Sequence, residues 1–140
     1  MDLRDPDQIF QFLQLVGGFA SWSYKSIEDS LRNESLKAKA LFRDGILTAM
    51  IGYAEILPQK EAEIFFLATH PEVRRQGFMK ILLKIFSQGL YNRLILEVSS
   101  KNQSALRLYE EFDFKKEGVR PKYYPDGSDA LLMSLNCLDF

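Results

Sequence analysis

One segment constrains this fold more than any other. It begins with an apolar strand pattern, continues through a short loop that contains Arg and Gly, and ends in a helical pattern. Glu61 to Thr69 contains a continuous apolar run, which predicts a strand buried on both faces in the middle of a sheet. Pro71 opens the loop, and a helical period starts at Phe78 and stops near Gly89. The apolar residues of that period are Phe78, Ile81, Leu82, Ile85 and Phe86. This order predicts a sheet with helices packed on its faces.

Further helix and strand patterns lie on both sides of this segment. Asp5 with Pro6 predicts a helix start, and Ser23 predicts the N-cap of a second helix that ends near Asn33. Asp44-Gly45 is typical of a hairpin turn. The other predicted elements are strands at Leu36 to Arg43, Ile46 to Leu57, Leu94 to Val98, Lys115 to Val119 and Ala130 to Leu135, and a helix from Asn102 to about Glu111. We therefore expect one α/β domain over residues 1–140, with a mixed, mostly antiparallel sheet and about four helices.

Charge and cysteine content exclude several classes of function. A net charge of −1 and a sequence pI near 5.9 give no positive field, so we expect no direct binding to nucleic acid or membrane. Cys137 is the only cysteine, which excludes an intrachain disulfide and a cysteine-based metal site and favours the cytoplasm. The apolar stretch from Ile9 to Ala20 is interrupted by Gln11 and Gln14 and is too short to span a bilayer. We expect no bound metal.

The loop before the helix at Phe78 is the best candidate for a ligand site. A helix start offers unpaired backbone N–H groups and the positive end of the helix dipole, which favour a phosphate or pyrophosphate. Gly77 allows close approach of the backbone, while Arg74 and Arg75 add positive charge. An ordinary solvated loop explains the local pattern equally well, so both interpretations stay open at this point.

A resemblance to a known family is carried by two segments. Thr69 to Met79 resembles the acyl-CoA-binding segment of the GNAT superfamily, Arg/Gln-x-x-Gly-x-Gly/Ala. Arg74 and Gly77 match that pattern, whereas Met79 replaces the usual small residue. The second half of the chain resembles the RimI-type N-terminal acetyltransferases, on the residues Leu96, Glu97, Val98, Asn102, Ala105, Leu108, Tyr109, Phe112, Phe114, Arg120, Tyr123, Tyr124, Pro125, Gly127, Asp129, Ala130 and Met133.

Three further positions bear on this resemblance. Ser21-Trp22-Ser23 resembles the Pro-Trp-Ser segment of the RimI-type enzymes, and Asp113 replaces their usual Gly. Met1 to Arg4 leave too little chain for the first strand of the family. The resemblance therefore implies a GNAT-like acyl-CoA N-acyltransferase fold whose first strand is short or missing.

The resemblance also implies the cofactor and the residues that act. The cofactor is acetyl-CoA, and the implied cofactor-binding residues are Leu67, Ala68, Thr69, Arg74, Arg75, Gln76, Gly77, Phe78, Met79, Lys80, Asn102 and Tyr109. The resemblance implies that Glu97 matches the carboxylate that acts as a general base through water, and that Tyr109 matches the general acid to the CoA sulfur. Trp22, Tyr123 and Tyr124 are implied to contact the acceptor.

Each of these residues also has a purely structural interpretation. The structural alternative for Glu97 is a charge at a strand end that faces solvent, although the resemblance favours the base, and the alternative for Tyr109 is a core position on an apolar helix face. Asn102 is a good N-cap. A packing role remains open for Tyr123 and Tyr124, and His70 is expected to be a surface residue rather than a second base.

The acceptor follows from the chemistry of amines. At pH 7 an α-amino group with a pKa near 7.8 is about 15% neutral, whereas a lysine with a pKa near 10.4 is about 0.04% neutral. A weak, water-relayed base therefore favours a protein N-terminus, and the resemblance implies a ribosomal protein that begins with alanine. A small amine, or a non-catalytic acyl-CoA-binding module, remains an alternative. We expect a monomer or a weak homodimer.

Overall fold

A computed structural model describes residues 1–137 of the chain and contains four α-helices, one short 3-10 helix and six strands. The helices are α1 (Pro6–Val16), α2 (Tyr24–Arg32), α3 (Phe78–Ser87) and α4 (Gln103–Glu111), and the 3-10 turn covers Pro71–Val73. The strands are β1 (Lys37–Arg43), β2 (Ile46–Ile56), β3 (Glu61–Thr69), β4 (Arg93–Ser99), β5 (Lys115–Arg120) and β6 (Ala130–Asn136). Every predicted helix and strand is confirmed, with ends that differ by at most about two residues. Within residues 1–137, none of the helices is long and apolar enough to cross a membrane.

Local chemistry places several of these boundaries. The Asp5 side chain accepts a hydrogen bond from the backbone N–H of Asp7 at the start of α1, and Ser23 accepts from Ser26 N–H at the start of α2. Asp44 and Gly45 have φ values of 52° and 78°, the two positive values that a tight hairpin between twisted strands requires.

The six strands form a mixed sheet in the order β1-β2-β3-β4-β6-β5. β1 pairs with β2 antiparallel, and β6 pairs antiparallel with both β4 and β5. β3 and β4 pair in parallel, from Glu61 opposite Arg93 to Ile64 opposite Leu96. Before α1, Asp2 forms an isolated antiparallel bridge with Lys39 of β1, in agreement with the expected short first strand.

Packing divides the chain into two compact units, with β3 contributing to both. Unit 1 comprises Met1–Glu55 and Phe65–Phe86, and unit 2 comprises Ile56–Ile64 and the chain from Ser87 onward. The expectation of one domain over residues 1–140 therefore stays a prediction.

The core of unit 1 joins α1 and α2 to β1, β2 and the second half of β3. Its buried members are Leu3, Ile9, Phe12, Leu13, Ile27, Leu36, Ala38, Ala40, Leu47, Met50, Phe66 and Ala68. Gly52 is required in this core, because a Cβ at that position would lie 2.2 Å from Cζ of Phe66. The Phe66 ring in turn packs against Phe19 and Trp22, with ring centroids 5.8 and 5.4 Å away.

Unit 2 has buried apolar residues on β3, β4, α4 and β6, and at Phe114 between α4 and β5. Its buried members include Ala62, Ile64, Leu94, Leu96, Val98, Tyr109, Phe114, Met133 and Leu135. On β4 the intervening residues Arg93, Ile95, Glu97 and Ser99 are only half-buried. Burial therefore alternates along β4, which leaves Glu97 on the less covered face of the strand.

One detail of the predicted burial is wrong. β3 is not buried on both faces, because Phe65 is 40% exposed between the buried Ile64 and Phe66. Successive side chains of a strand point to opposite faces, and only one face is covered at Phe65.

On α3, Ile81 and Ile85 are 48% and 56% exposed, whereas Met79, Leu82, Leu83 and Phe86 are buried. The apolar residues form two neighbouring stripes on this helix, and only one of the stripes faces the core.

Candidate active site

The residues predicted to act are distributed over both units, and each unit positions its own set. In unit 1 the loop before α3 contains two residues in the left-handed region, Arg75 with φ 68° and Gly77 with φ 82°. The first intrahelical bond runs from Ile81 N–H to the Gly77 carbonyl at 3.0 Å. The N–H groups of Phe78 and Met79 come before this bond, so the helix itself offers them no carbonyl acceptor four residues earlier. A Cβ placed at Gly77 meets nothing within 4 Å, so the backbone there is open to a ligand.

The two arginines of this loop differ in their surroundings. The Arg74 guanidinium donates a hydrogen bond to the Val16 carbonyl at 3.1 Å, which satisfies a backbone acceptor at the C-terminal end of α1. Arg75 is exposed. The phosphate-binding role of Arg74 stays a prediction, and the structure shows that this side chain attaches the loop to α1.

Met79 replaces the small residue of the family pattern, and its side chain is only 8% exposed. A buried thioether lies in the protein core rather than at the open mouth of the helix. Phe78, beside it, is half-buried under the Arg43 guanidinium, which lies 5.6 Å from the ring centroid.

At the end of β3, Ala68 is buried while Leu67 and Thr69 are half-buried. His70 follows, and its Nδ1 accepts a hydrogen bond from Glu72 N–H at 3.1 Å. His70 is half-buried, and its backbone N–H donates to the Thr48 carbonyl at 2.8 Å. This bonding makes His70 the cap of the short 3-10 turn.

Trp22 lies in unit 1 between α1 and α2 and packs against β3. Its ring centroid is 5.9 Å from that of Phe65 and 5.4 Å from that of Phe66. Because Trp22 and Phe65 are both incompletely buried, together they leave an aromatic surface open to solvent.

In unit 2, the Glu97 side chain projects from β4 with 26% of its surface exposed. Arg120 of β5 places one guanidinium nitrogen 3.7 Å from the Oε1 atom of Glu97. The carboxylate is therefore partly solvated and has one cationic neighbour.

Tyr109 is 8% exposed on α4, with its ring centroid 5.5 Å from that of Phe114. Burial, with a smaller contribution from Tyr124, raises the pKa of Tyr109 to about 12. The phenol is therefore protonated at neutral pH. The core interpretation and the acid interpretation of Tyr109 are compatible.

Asn102 caps α4, because its side-chain oxygen accepts a hydrogen bond from Ala105 N–H at 3.2 Å. Asp113, at the position where the RimI-type pattern has Gly, adopts a φ of 65°. The backbone there is left-handed, and Asp is among the residues that tolerate this conformation.

The loop between β5 and β6 contains the tyrosine pair. Tyr123 is 52% exposed, and its ring lies 5.2 Å from that of Tyr124 at 84°. The loop is closed by a hydrogen bond from Tyr124 N–H to the Ser128 carbonyl at 3.2 Å. Burial, and next the charge of Glu97, raise the pKa of Tyr124.

Comparison with known proteins identifies the family. Residues 8–114 match the model of the Acetyltransferase (GNAT) family. The chain belongs to the GNAT family.

Relatives in the GNAT family extend this comparison. The chain is 39% identical over 82 residues to the ribosomal protein bS18-alanine N-acetyltransferase of Escherichia coli, a match that covers 54% of this chain and 55% of that protein. The chain thus spans about half the length of this curated relative. A Bacillus subtilis protein, provisionally named as the same enzyme, is 29% identical over 139 residues, covering 95% of this chain and 90% of that protein.

A solved structure agrees with the fold. The crystal structure of the ribosomal-protein-S18-alanine N-acetyltransferase from Escherichia coli matches with a TM-score of 0.83 at 29% identity, covering 98% of this chain and 94% of that chain. The predicted α/β GNAT-like architecture is therefore confirmed.

The structure also reveals a residue of this GNAT chain that the sequence did not place in the site. Arg120 was only part of a family pattern, yet it approaches Glu97 and lies 5.6 Å from the centroid of the Tyr123 ring. No local sequence signal predicts this contact, because Arg120 and Glu97 lie on strands that are separated by β6.

Proposed function

We propose that this chain transfers the acetyl group of acetyl-CoA to the N-terminal α-amino group of a protein, with a ribosomal protein that begins with alanine as the acceptor class. The observation that carries the proposal is the pair of ionisable groups in unit 2. Tyr109 is buried and protonated, whereas Glu97 is partly solvated. A buried phenol that holds its proton and a solvent-accessible carboxylate are side chains suited to serve as acid and base.

The loop of unit 1 supplies the features that a diphosphate needs. We assign Arg74 to Lys80 to the pyrophosphate, since the open backbone at Gly77 and the helix start favour an anion. The backbone of Leu67 to Thr69 is assigned to the amides of the pantetheine arm, and Asn102 to the same arm. Acetyl-CoA supplies an acetyl group activated as a thioester.

Glu97 and Tyr109 then have complementary tasks. Glu97 accepts a proton from the attacking amine through a water molecule, as the C–N bond forms. Tyr109 donates its proton to the departing sulfur, as the C–S bond breaks. The products are an acetylated amine and free coenzyme A.

The acceptor residues are assigned by the same reasoning. Trp22 offers an aromatic surface in unit 1, and Tyr123 and Tyr124 offer another in unit 2. A water-relayed carboxylate suffices for an α-amino group, because about 15% of this group is neutral at pH 7. The relatives named for bS18-alanine acetylation favour a ribosomal acceptor. Such an acceptor is found in the cytoplasm, where we also expect this chain.

The test is thiol release from acetyl-CoA with a peptide that carries a free N-terminal alanine. Release is expected with this peptide and is expected to vanish when the same peptide is already N-acetylated. Glu97→Gln and Tyr109→Phe are expected to reduce kcat about a hundredfold, within the usual range for a general acid or base.

Two control variants match these substitutions closely. Glu61 is a β3 carboxylate, 24% exposed and 3.7 Å from a guanidinium nitrogen of Arg93, so Glu61→Gln repeats the chemical change of Glu97→Gln at another strand position. Tyr91 is 7% exposed, so Tyr91→Phe repeats the change at Tyr109. Both controls are expected to keep the wild-type kcat.

Faster turnover of a small amine than of any peptide would contradict the protein acceptor, and acetyl-CoA binding without turnover would contradict catalysis.

A further inference from the structure

Glu97 and Arg120 face the same side of the sheet. Ala130 of β6 is opposite Ser99 of β4 on one side and opposite Arg120 of β5 on the other. Paired residues of antiparallel strands point to the same face, and so do residues two apart along one strand. Glu97, two residues before Ser99, is therefore on the same face as Arg120, and β6 lies between them.

The side chain of Arg120 crosses β6 to approach Glu97. Arg120 and Glu97 are two strands apart, about 9.6 Å, and are offset by two residues along the strands, about 6.8 Å, so the contact needs a long side chain. The residue of β6 directly opposite Arg120 is Ala130, whose short side chain is fully buried. Glu97 is opposite Leu132 on the same face, so the side chain of Arg120 reaches diagonally across β6, and the ion pair of 3.7 Å depends on its length.

A third residue holds the guanidinium in place. Arg120 lies over the Tyr123 ring, 5.6 Å from its centroid, and the Tyr123 ring packs edge-on against Tyr124. A cation above a tyrosine face is attracted by the ring quadrupole. The guanidinium therefore has a carboxylate on one side and an aromatic ring on another, although 54% of the side chain is exposed.

The distance between the charged groups also has a chemical meaning. A separation of 3.7 Å is within the range of an ion pair and beyond that of a hydrogen bond. The guanidinium can therefore attract and orient the carboxylate without occupying the lone pairs that a base needs. A pair this exposed contributes little to stability, which makes a stabilising role a poor explanation for the arrangement.

We propose that Arg120 is a positioning residue that orients the carboxylate of Glu97 for proton transfer, with the Tyr123 ring holding the guanidinium. This inference rests on the proposed function, in which Glu97 is the base. Arg120 itself touches no reacting atom and acts only through Glu97.

The experiment is a double-mutant cycle on kcat for the N-terminal alanine peptide, with Arg120→Gln, Glu97→Gln and the double variant. Arg120→Gln is expected to lower kcat about tenfold with little change in KM, since a badly oriented base loses part of its contribution. The double variant is expected to match Glu97→Gln alone, because Arg120 has nothing to orient once the base is gone. Arg120→Lys is expected to recover most of kcat.

Arg32→Gln is the matched control. Arg32 of α2 is an exposed arginine with a nitrogen 3.5 Å from Glu28, and its replacement is expected to leave kcat and KM unchanged. If the wild-type protein turns over and Arg120→Gln has the same kcat, only the positioning role is overturned. The same role is overturned if Arg120→Gln costs an equal factor in the Glu97→Gln background. An absence of wild-type turnover overturns the proposed function, and the inference with it.

Discussion

The Arg74 guanidinium donates a hydrogen bond to the backbone carbonyl of Val16 at 3.1 Å, so the loop before α3 is attached to the end of α1. Arg74→Ala removes this bond, and we expect the free energy of unfolding to fall by about 1 kcal/mol. Arg75→Ala removes an equal charge from an exposed side chain and is expected to leave the stability unchanged. Urea unfolding of both variants checks the difference. In calorimetry, both variants are expected to bind coenzyme A more weakly than wild type. An unchanged free energy of unfolding in Arg74→Ala would contradict the attachment of the loop to α1.

Gly77→Ala separates backbone strain from ligand contact. With φ at 82° and open space at the Cβ position, alanine at residue 77 is expected to cost about 1 kcal/mol of stability from strain alone. Gly45→Ala is the control, because Gly45 has φ 78° and equally open space in the β1–β2 hairpin. Only Gly77→Ala is expected to weaken coenzyme A binding, by about tenfold or more, since its methyl group would lie at the proposed diphosphate site. Equal affinities of the two variants would remove Gly77 from the cofactor site.

Met79→Ala tests whether the departure from the family pattern crowds the cofactor. Since Met79 is buried, we expect its truncation to leave a cavity and to lower the free energy of unfolding by about 2–4 kcal/mol. The dissociation constant of coenzyme A, measured by calorimetry well below the unfolding temperature, is expected to stay within about twofold of wild type. A clear gain in affinity would mean that the thioether obstructs the diphosphate.

Tyr109 predicts a loss of stability at high pH. Its pKa is raised to about 12 by burial, above the ordinary value of 10.0 that applies in the unfolded chain. The folded state therefore retains the proton longer, and its advantage is complete below pH 10 and lost as pH rises toward 12. At pH 11 the free energy of unfolding has fallen by about 1.4 kcal/mol from this source. Between pH 9 and pH 11, the free energy of unfolding measured in urea is expected to fall more for wild type than for Tyr109→Phe. Equal falls in the two proteins would contradict a buried phenol.

The sequence predicted helix and strand positions well, because their signals are local. Asp5 and Ser23 cap their helices as expected, and Asp44-Gly45 forms the hairpin turn. The loop from Arg74 to Gly77 precedes α3 as the family pattern implied. The functional roles of Glu97 and Tyr109 stay predictions, although the structure gives the carboxylate solvent access and the phenol burial.

Burial on individual faces was less predictable. Ile81 and Ile85 fit the helical period of α3 as well as Leu82 and Phe86 do, yet only the latter two are buried. Two adjacent apolar stripes on a helix are equivalent until a neighbouring element covers one of them. Phe65 is similar, since a continuous apolar run does not indicate which face of the strand is covered.

The sequence by itself therefore determined the order of elements, the helix caps, the turn and the membership of the GNAT family, because these depend on neighbouring residues and short motifs. Only the tertiary structure decided that Arg74 is bound to the end of α1 and that Arg120 approaches Glu97 across β6. Strand pairing brings together side chains that are distant along the chain, and the length and direction of those side chains then determine which of them meet.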